Sequence, residues 1–347
     1  MRVVTVAGDI DPATLGTTLV HEHLVADLDT PVDSTEGWLA VGRQRPDAAA
    51  ARRLYESPLT LDVLGTVGLG APHRANWQLT EQHAVPEAAA FASVGGGTIV
   101  SATLPGQGRD PAALAQLSRA TGLHVVMGTG WYHPAWSPEL ADRTAGHLAD
   151  RMLSEIDDGV HGVRAGIIGT IAALDPLVPG ERTLLYAVAR AAAQSGAPIS
   201  LECAPDIVRQ REVLAILASE GVDLSRVALA RCDRFALAPE SLVPILAMGV
   251  FVQFDGLGEI PSVYTEVADH DVALAILDLA GRGYADRLLV SRGVRHRIAL
   301  RGFGGSGYPF VTEQFVPYLR MLGAADDLVT ALTVDNPRRL LTMGGAA

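Results

Sequence analysis

The chain has 347 residues, with 27 basic and 39 acidic side chains and a formal net charge of −12. All 27 basic residues are arginine, so the sequence excludes a Schiff-base or general-base lysine, a phosphate-loop lysine and a lysine modified into a metal ligand. The acidic balance argues against nucleic acid as a partner, because a phosphate-binding face needs a basic surplus.

Hydrophobic residues make up 48% of the chain and aromatics only 5%, which predicts a large core built from Ala, Val, Leu and Ile. Met1 leads straight into the strand-like Arg2–Val6, with no charged-then-apolar leader. No apolar run reaches the roughly 18 residues that cross a bilayer. The expectation is a soluble cytoplasmic protein with no membrane partner. Cys203 and Cys232 are too few for a zinc ribbon or a disulfide framework.

Eight short apolar segments recur in chain order: Thr17–Val25, Gly97–Leu104, His124–Trp131, Arg164–Ala172, Ala197–Ala204, Arg226–Cys232, Gly249–Asp255 and Arg287–Gly293. Most are rich in Val, Ile, Leu or Thr, as strands buried on both faces should be. Helix-like stretches separate them, including Pro111–Thr121, Glu139–Asp157, Glu181–Ser195, Asp206–Glu220 and Ala268–Arg282. Asp110-Pro111 and Ser137-Pro138-Glu139 read as helix starts. Eight strand–helix units in series predict one α/β domain over 1–347, a (β/α)8 TIM barrel. The rival, an open doubly wound sheet, should carry a Gly-rich loop after its first strand. Here that strand ends in His21-Glu22-His23 instead. Residues 30–75 form an elaborated first loop, expected to lie over the mouth of the barrel.

In a strand, positions i and i+2 face the same way, so His21 and His23 present two imidazoles on one side, half of a metal site. The segment Leu15-Gly16-Thr17-Thr18-Leu19-Val20-His21-Glu22-His23-Leu24 resembles the opening motif of the phosphotriesterase family, in the amidohydrolase superfamily. Gly128-Thr129-Gly130-Trp131-Tyr132, Val252-Gln253-Phe254-Asp255-Gly256, Gly304-Gly305-Ser306-Gly307-Tyr308 and Asn336-Pro337-Arg338-Arg339-Leu340-Leu341 continue the similarity in order. The resemblance implies a site at the C-terminal ends of the strands and a history of hydrolysing esters, lactones or phosphotriesters. It also implies two divalent metals. Their ligands would be the first-strand histidine pair, a carboxylated lysine or glutamate on strand four, histidines on strands five and six, and an aspartate on strand eight.

Only the first pair survives. Gly169 and Thr170 occupy the strand-four position, Glu202 the strand-five position, Arg231 the strand-six position and Gly293 the strand-eight position. Without a bridging anion two cations would repel, and Arg231 brings a charge that can be neither deprotonated nor coordinated to a metal. The expectation is a dismantled binuclear site with no resident cofactor.

Three readings stay open. In the first, a metal-independent, hydrolase-like enzyme of small-molecule metabolism uses Arg231 to bind an anionic or carbonyl group. Glu202 then orients the guanidinium or acts as acid or base. His21 and His23 are imidazoles for proton transfer, and Asp255 is a further carboxylate. In the second, His21, His23 and Glu202 hold a single zinc-like metal. In the third, Glu202 and Arg231 form a buried ion pair in a non-catalytic binding or regulatory protein.

Trp131, Tyr132 and Asp233 are expected to contact the small-molecule substrate at the mouth. His133, His73, His83, His147, His161 and His270 read as surface residues. Cys203 and Cys232 read as small buried hydrophobes. The run Arg292, Arg295, Arg297 and Arg301 reads as largely solvated. Barrels of this kind commonly pair, so a homodimer is the expectation for assembly.

Overall fold

A computed structural model describes residues 1–344 apart from 138, 139, 141, 262–264 and 266. Its centre is a sheet of eight parallel strands in sequential order. They are β1 (Thr17–Glu22), β2 (Gly96–Ser101), β3 (His124–Thr129), β4 (Ile167–Ile171), β5 (Ile199–Glu202), β6 (Val227–Ala230), β7 (Phe251–Phe254) and β8 (Leu288–Val290). Seven fall inside the corresponding apolar segment, and β2 begins one residue before its own. Alternation is visible in the packing. Ile99, Val125 and Ile168 join the large core shared with the helices, while their neighbours Val100, Val126 and Ile167 form a separate cluster with Val3, Leu15 and Leu341.

The sheet rolls into a TIM barrel, and side chains finish its closure. Among the described residues no backbone ladder joins β8 to β1. The seam is stitched by His21 N–H to Ser291 Oγ at 3.0 Å and His23 N–H to the Val294 carbonyl at 2.9 Å. Glu22, fully buried between the two histidines, accepts from Ser291 Oγ and from the amides of Arg292, Gly293 and Val294. Burial pushes its pKa up, against the pull of those donors.

Helices Pro111–Thr121, Pro179–Ser195, Ile207–Ser219 and Asp269–Leu279 occupy the expected stretches. Asp110 caps the first of these, accepting from Ala113 N–H. The helix expected from Glu139 begins at Ala145, where Thr144 provides the cap; Pro138 and Glu139 lie outside the described residues. Residues 30–75 hold three short helices, Thr35–Ala40, Ala49–Glu56 and Leu61–Gly68. Trp38, Tyr55 and Trp77 lock this excursion down, with ring centroids 5.4 to 6.1 Å apart.

Two surface expectations are corrected here. His73 is fully buried under these helices, with Nε2 3.3 Å from Ser57 Oγ. Arg292 is also buried, donating from Nε to Ser306 Oγ at 3.0 Å, because the strand has ended and the chain turns inward. Of its basic companions, Arg295 pairs with Glu259, Arg297 donates to the Gln78 carbonyl and Arg301 pairs with Glu313. Cys203 and Cys232 are buried free thiols, as read from the sequence. No described helix is long and apolar enough to cross a membrane.

Candidate active site

A cavity of 470 Å³ opens at the C-terminal ends of the strands. His21 and His23 reach it from the end of β1, with ring centroids 5.8 Å apart. Each ring is anchored through Nδ1, His21 to Asp255 Oδ2 at 2.5 Å and His23 to Thr103 Oγ1 at 2.9 Å. These anchors leave Nε2 of each ring for the cavity.

The two imidazoles are tuned apart. Burial lowers the pKa of His21, but the charge and hydrogen bond of Asp255, together with Glu202, outweigh it and the net shift is upward. Burial, the His21 charge and Arg231 bring His23 down to about 3. His21 therefore tends to the cation and His23 stays neutral.

Asp255 stands behind His21 rather than on the cavity wall. It is fully buried and also accepts from Gln253 Nε2 at 2.7 Å and from the Arg231 amide at 3.1 Å. The further carboxylate read from the sequence thus reaches the cavity only by way of the His21 ring. Burial raises its pKa, yet His21 and Arg231 hold it below its ordinary value.

Arg231 follows the end of β6 with φ of 62°, the left-handed region rarely used by non-glycine residues. Burial lowers its pKa, and the charges of Asp255, Glu202, Asp233 and Glu259 raise it further than burial lowers it. The expected ion pair with Glu202 is absent: among the described residues Arg231 has no salt-bridge partner within 4.0 Å. In the β5–β6 register Glu202 is opposite Ala230, and the left-handed turn sends Arg231 elsewhere. Glu202 instead accepts from Tyr132 Oη at 3.2 Å. Burial and Glu202 push the Tyr132 pKa well up, so its phenol remains a donor.

Two expected substrate contacts move. Asp233 accepts from the amides of Asp255 at 3.2 Å and Gly256 at 3.0 Å, so it pins the end of β7 and borders a neighbouring open cleft. Burial and the Asp255 charge lift its pKa to about 7. Trp131 turns into a separate pocket beside Arg109, and Trp136, five residues on, lines the cavity. His133 pairs with Glu181 at 3.2 Å, away from the cavity.

Arg43, Trp77 and His296 are wall residues that the sequence reading missed. His296 lies three residues past Gly293, at the barrel end where sites are built, which was the available signal. Burial, then Arg43 and His23, bring its pKa to about 3.

The model of the phosphotriesterase family matches residues 1–341. The chain belongs to the phosphotriesterase family. An N-acetyltaurine hydrolase from Tetraodon nigroviridis is 30% identical over 353 residues, covering 98% of both chains. The structure of a resiniferatoxin-binding protein from Rhodobacter sphaeroides aligns with a TM-score of 0.88 at 33% identity, over 99% of this chain and 96% of that one. A phosphotriesterase homology protein from Escherichia coli, complexed with phosphate in its active site, aligns with a TM-score of 0.77 at 28% identity, over 96% and 100%.

At the positions where the family resemblance implies metal ligands beyond the histidine pair, this chain carries Thr170, Glu202, Arg231 and Gly293. Thr170 Oγ1, at the bridging position, is 2.7 Å from Ser200 Oγ. Arg231 is a cation that cannot ligate. Gly293 offers no side chain, and an added Cβ would sit 2.1 Å from the Asp255 carbonyl oxygen. Among the described residues no three His, Cys, Asp or Glu side chains converge as a metal group, His21, His23 and Glu202 included.

Proposed function

We propose that this phosphotriesterase-family protein is a hydrolase-like enzyme of small-molecule metabolism that cleaves an acyl bond, in an amide, ester or lactone, with its own acid–base groups. The observation that carries the reading is the convergence of an Asp255-backed His21, the Arg231 guanidinium and a Tyr132-bound Glu202 on one cavity. The hydrolase names of relatives over nearly the whole chain support the reaction class.

In the mechanism, the substrate carbonyl oxygen accepts from Arg231 and from the His21 cation, which stabilise the oxyanion that forms when water adds. Glu202 takes a proton from that water as its oxygen bonds to carbon. Collapse of the tetrahedral species breaks the bond to the amine or alcohol, and the proton on Glu202 passes to that leaving group. The products are a carboxylic acid and the protonated leaving group. Asp255 keeps the His21 ring oriented, and Tyr132 keeps Glu202 in place.

The test is turnover of a panel of small amides, esters and lactones before and after exhaustive chelation, in wild type and Arg231→Met. The expected result is full activity in EDTA and a roughly 10²–10³-fold loss in Arg231→Met. Abolition by EDTA with recovery on zinc would replace this reading with a single metal on His21, His23 and Glu202. The resiniferatoxin-binding protein among the relatives favours a second reading, ligand binding without chemistry. Saturable binding with no turnover of any panel member would establish that one.

A further inference from the structure

The chain carries a net charge of −12, yet its cavity wall holds Arg43, Arg231, Arg234 and Arg295 against a single acid, Glu202. Arg295 is neutralised by Glu259. Among the described residues Arg43 has no ion-pair partner within 4.0 Å, and Asp29, whose charge acts on it, is already engaged by Tyr55 and Arg74. It reaches the cavity from the first-loop excursion, its own amide fixed to the Trp38 carbonyl at 2.8 Å. Its guanidinium carbon lies 3.9 Å from the centroid of the Trp77 ring and 5.1 Å from that of Trp136. Nη1 donates to the Leu28 carbonyl at 2.7 Å, leaving Nη2 and Nε without a protein acceptor among the described residues.

A half-buried cation without a counter-ion is costly unless something supplies the missing charge. Stacking on two indoles offsets part of that cost and holds the planar fork in one orientation. The geometry is that of a prepared receptor for a carboxylate, sulfonate or similar oxyanion.

We infer that Arg43 is the specificity-determining residue of this site, binding a fixed anionic group at the far end of the substrate from its scissile bond. The inference rests on the hydrolase reading only for the words scissile bond; the anion site itself stands on the Arg43 geometry. The substrate class is then an acyl compound whose leaving group carries a permanent negative charge. Arg231 and His21 serve the carbonyl end, and Arg43, held on a different loop, serves the anionic end.

Two of the chain's four tryptophans flank Arg43, so intrinsic fluorescence of the full-length protein reports on occupancy. The probes are three acetamides of matched length, N-acetyl-β-alanine, N-acetyl-2-aminoethanesulfonate and the uncharged N-acetylethanolamine. The anionic probes are expected to bind roughly tenfold to a hundredfold more tightly than the neutral one, the range for a charge-assisted contact. Arg43→Met keeps bulk between the indoles and should erase that ratio, while Arg43→Lys should restore part of it. In wild type the ratio should also fall as salt rises, a readout that needs no variant.

Equal binding of charged and neutral probes, no binding of the anions at millimolar concentration, a salt-independent ratio, or a ratio that survives Arg43→Met would each overturn the inference. Turnover is not part of the readout. Anions bound through Arg43 but never hydrolysed would uphold this site and sink the hydrolase reading, whereas hydrolysis indifferent to substrate charge would do the reverse.

Discussion

Gly293 stands where the family resemblance places a metal-binding aspartate, and its surroundings predict that no side chain can return there unaided. Its φ is +62°, and an ideal Cβ would meet the Asp255 carbonyl oxygen at 2.1 Å, about 0.9 Å inside the 3.0 Å that Cβ atoms respect. The obstacle is backbone and cannot swing away. Its N–H is also committed, donating to Glu22 Oε1 at 3.1 Å in the seam that closes the barrel. For Gly293→Ala the left-handed conformation costs about 1–2 kcal/mol. Displacing packed backbone adds about 1–3 kcal/mol. The expected destabilisation is therefore about 2–5 kcal/mol. Unfolding 347 residues releases about 0.7 kcal/mol/K of entropy, so Tm should fall by about 3–7 °C. Urea unfolding followed by circular dichroism, with calorimetry for Tm, measures both. Gly293→Asp should cost at least as much and should not recruit zinc. A Gly293→Ala variant within about 0.5 kcal/mol of wild type, outside the cost assigned to strain, would refute the reasoning. So would stoichiometric zinc in Gly293→Asp.

Asp233 supplies a pH signature. Its folded pKa of about 7 lies above the unfolded carboxylate value, so the folded state holds the proton more tightly and stability falls as pH rises from about 4 through 7. Wild type should lose on the order of 4 kcal/mol relative to Asp233→Asn across that window in urea titrations, and a pH-independent difference would contradict the assignment. At the proposed base, Glu202→Gln should lower kcat by roughly 10²–10⁴-fold. Tyr132→Phe, which leaves the carboxylate in place without its donor, should cost only about tenfold or less, the worth of one hydrogen bond. Equal losses in the two variants would mean that Glu202 positions rather than transfers protons.

The eight strands were legible because parallel strands buried on both faces write themselves as apolar runs. The site was legible only where family motifs and strand ends coincide, as at His21, His23, Glu202 and Arg231. The Asp255–His21 pair joins residues 234 positions apart, and no local pattern announces it. Glu202 and Arg231 looked like ion-pair partners because they sit on adjacent strands; the left-handed φ at Arg231, a conformation that the sequence does not advertise for arginine, separates them. Trp131 and Trp136 were exchanged for a similar reason, since which of two nearby aromatics enters a cavity depends on the chain reversal after β3. Arg43 and Trp77 were hidden more deeply. They belong to a loop whose position over the barrel follows from packing among Trp38, Tyr55 and Trp77 rather than from strand register. Glu22, to which the sequence reading gave no role, is the staple of the barrel seam.

The changes at the strand ends make more sense as a set than singly. A metal pair supplies positive charge that is fixed in place and able to draw electrons from a carbonyl. Removing the bridge at Thr170 and the acid at Gly293 removes the anions that would hold such a pair. Arg231, and Arg43 with no ion-pair partner among the described residues, bring positive charge to the same space as guanidinium, which neither titrates nor dissociates. The Asp255 carboxylate raises the basicity of His21 and fixes its ring. A barrel merely losing function has no reason to rebuild the positive pole it lost, to back a histidine with a buried carboxylate, or to place between two tryptophans at the mouth an arginine with no ion-pair partner among the described residues. The guanidinium groups carry a desolvation cost that a bound anion, or an oxyanion in passing, offsets.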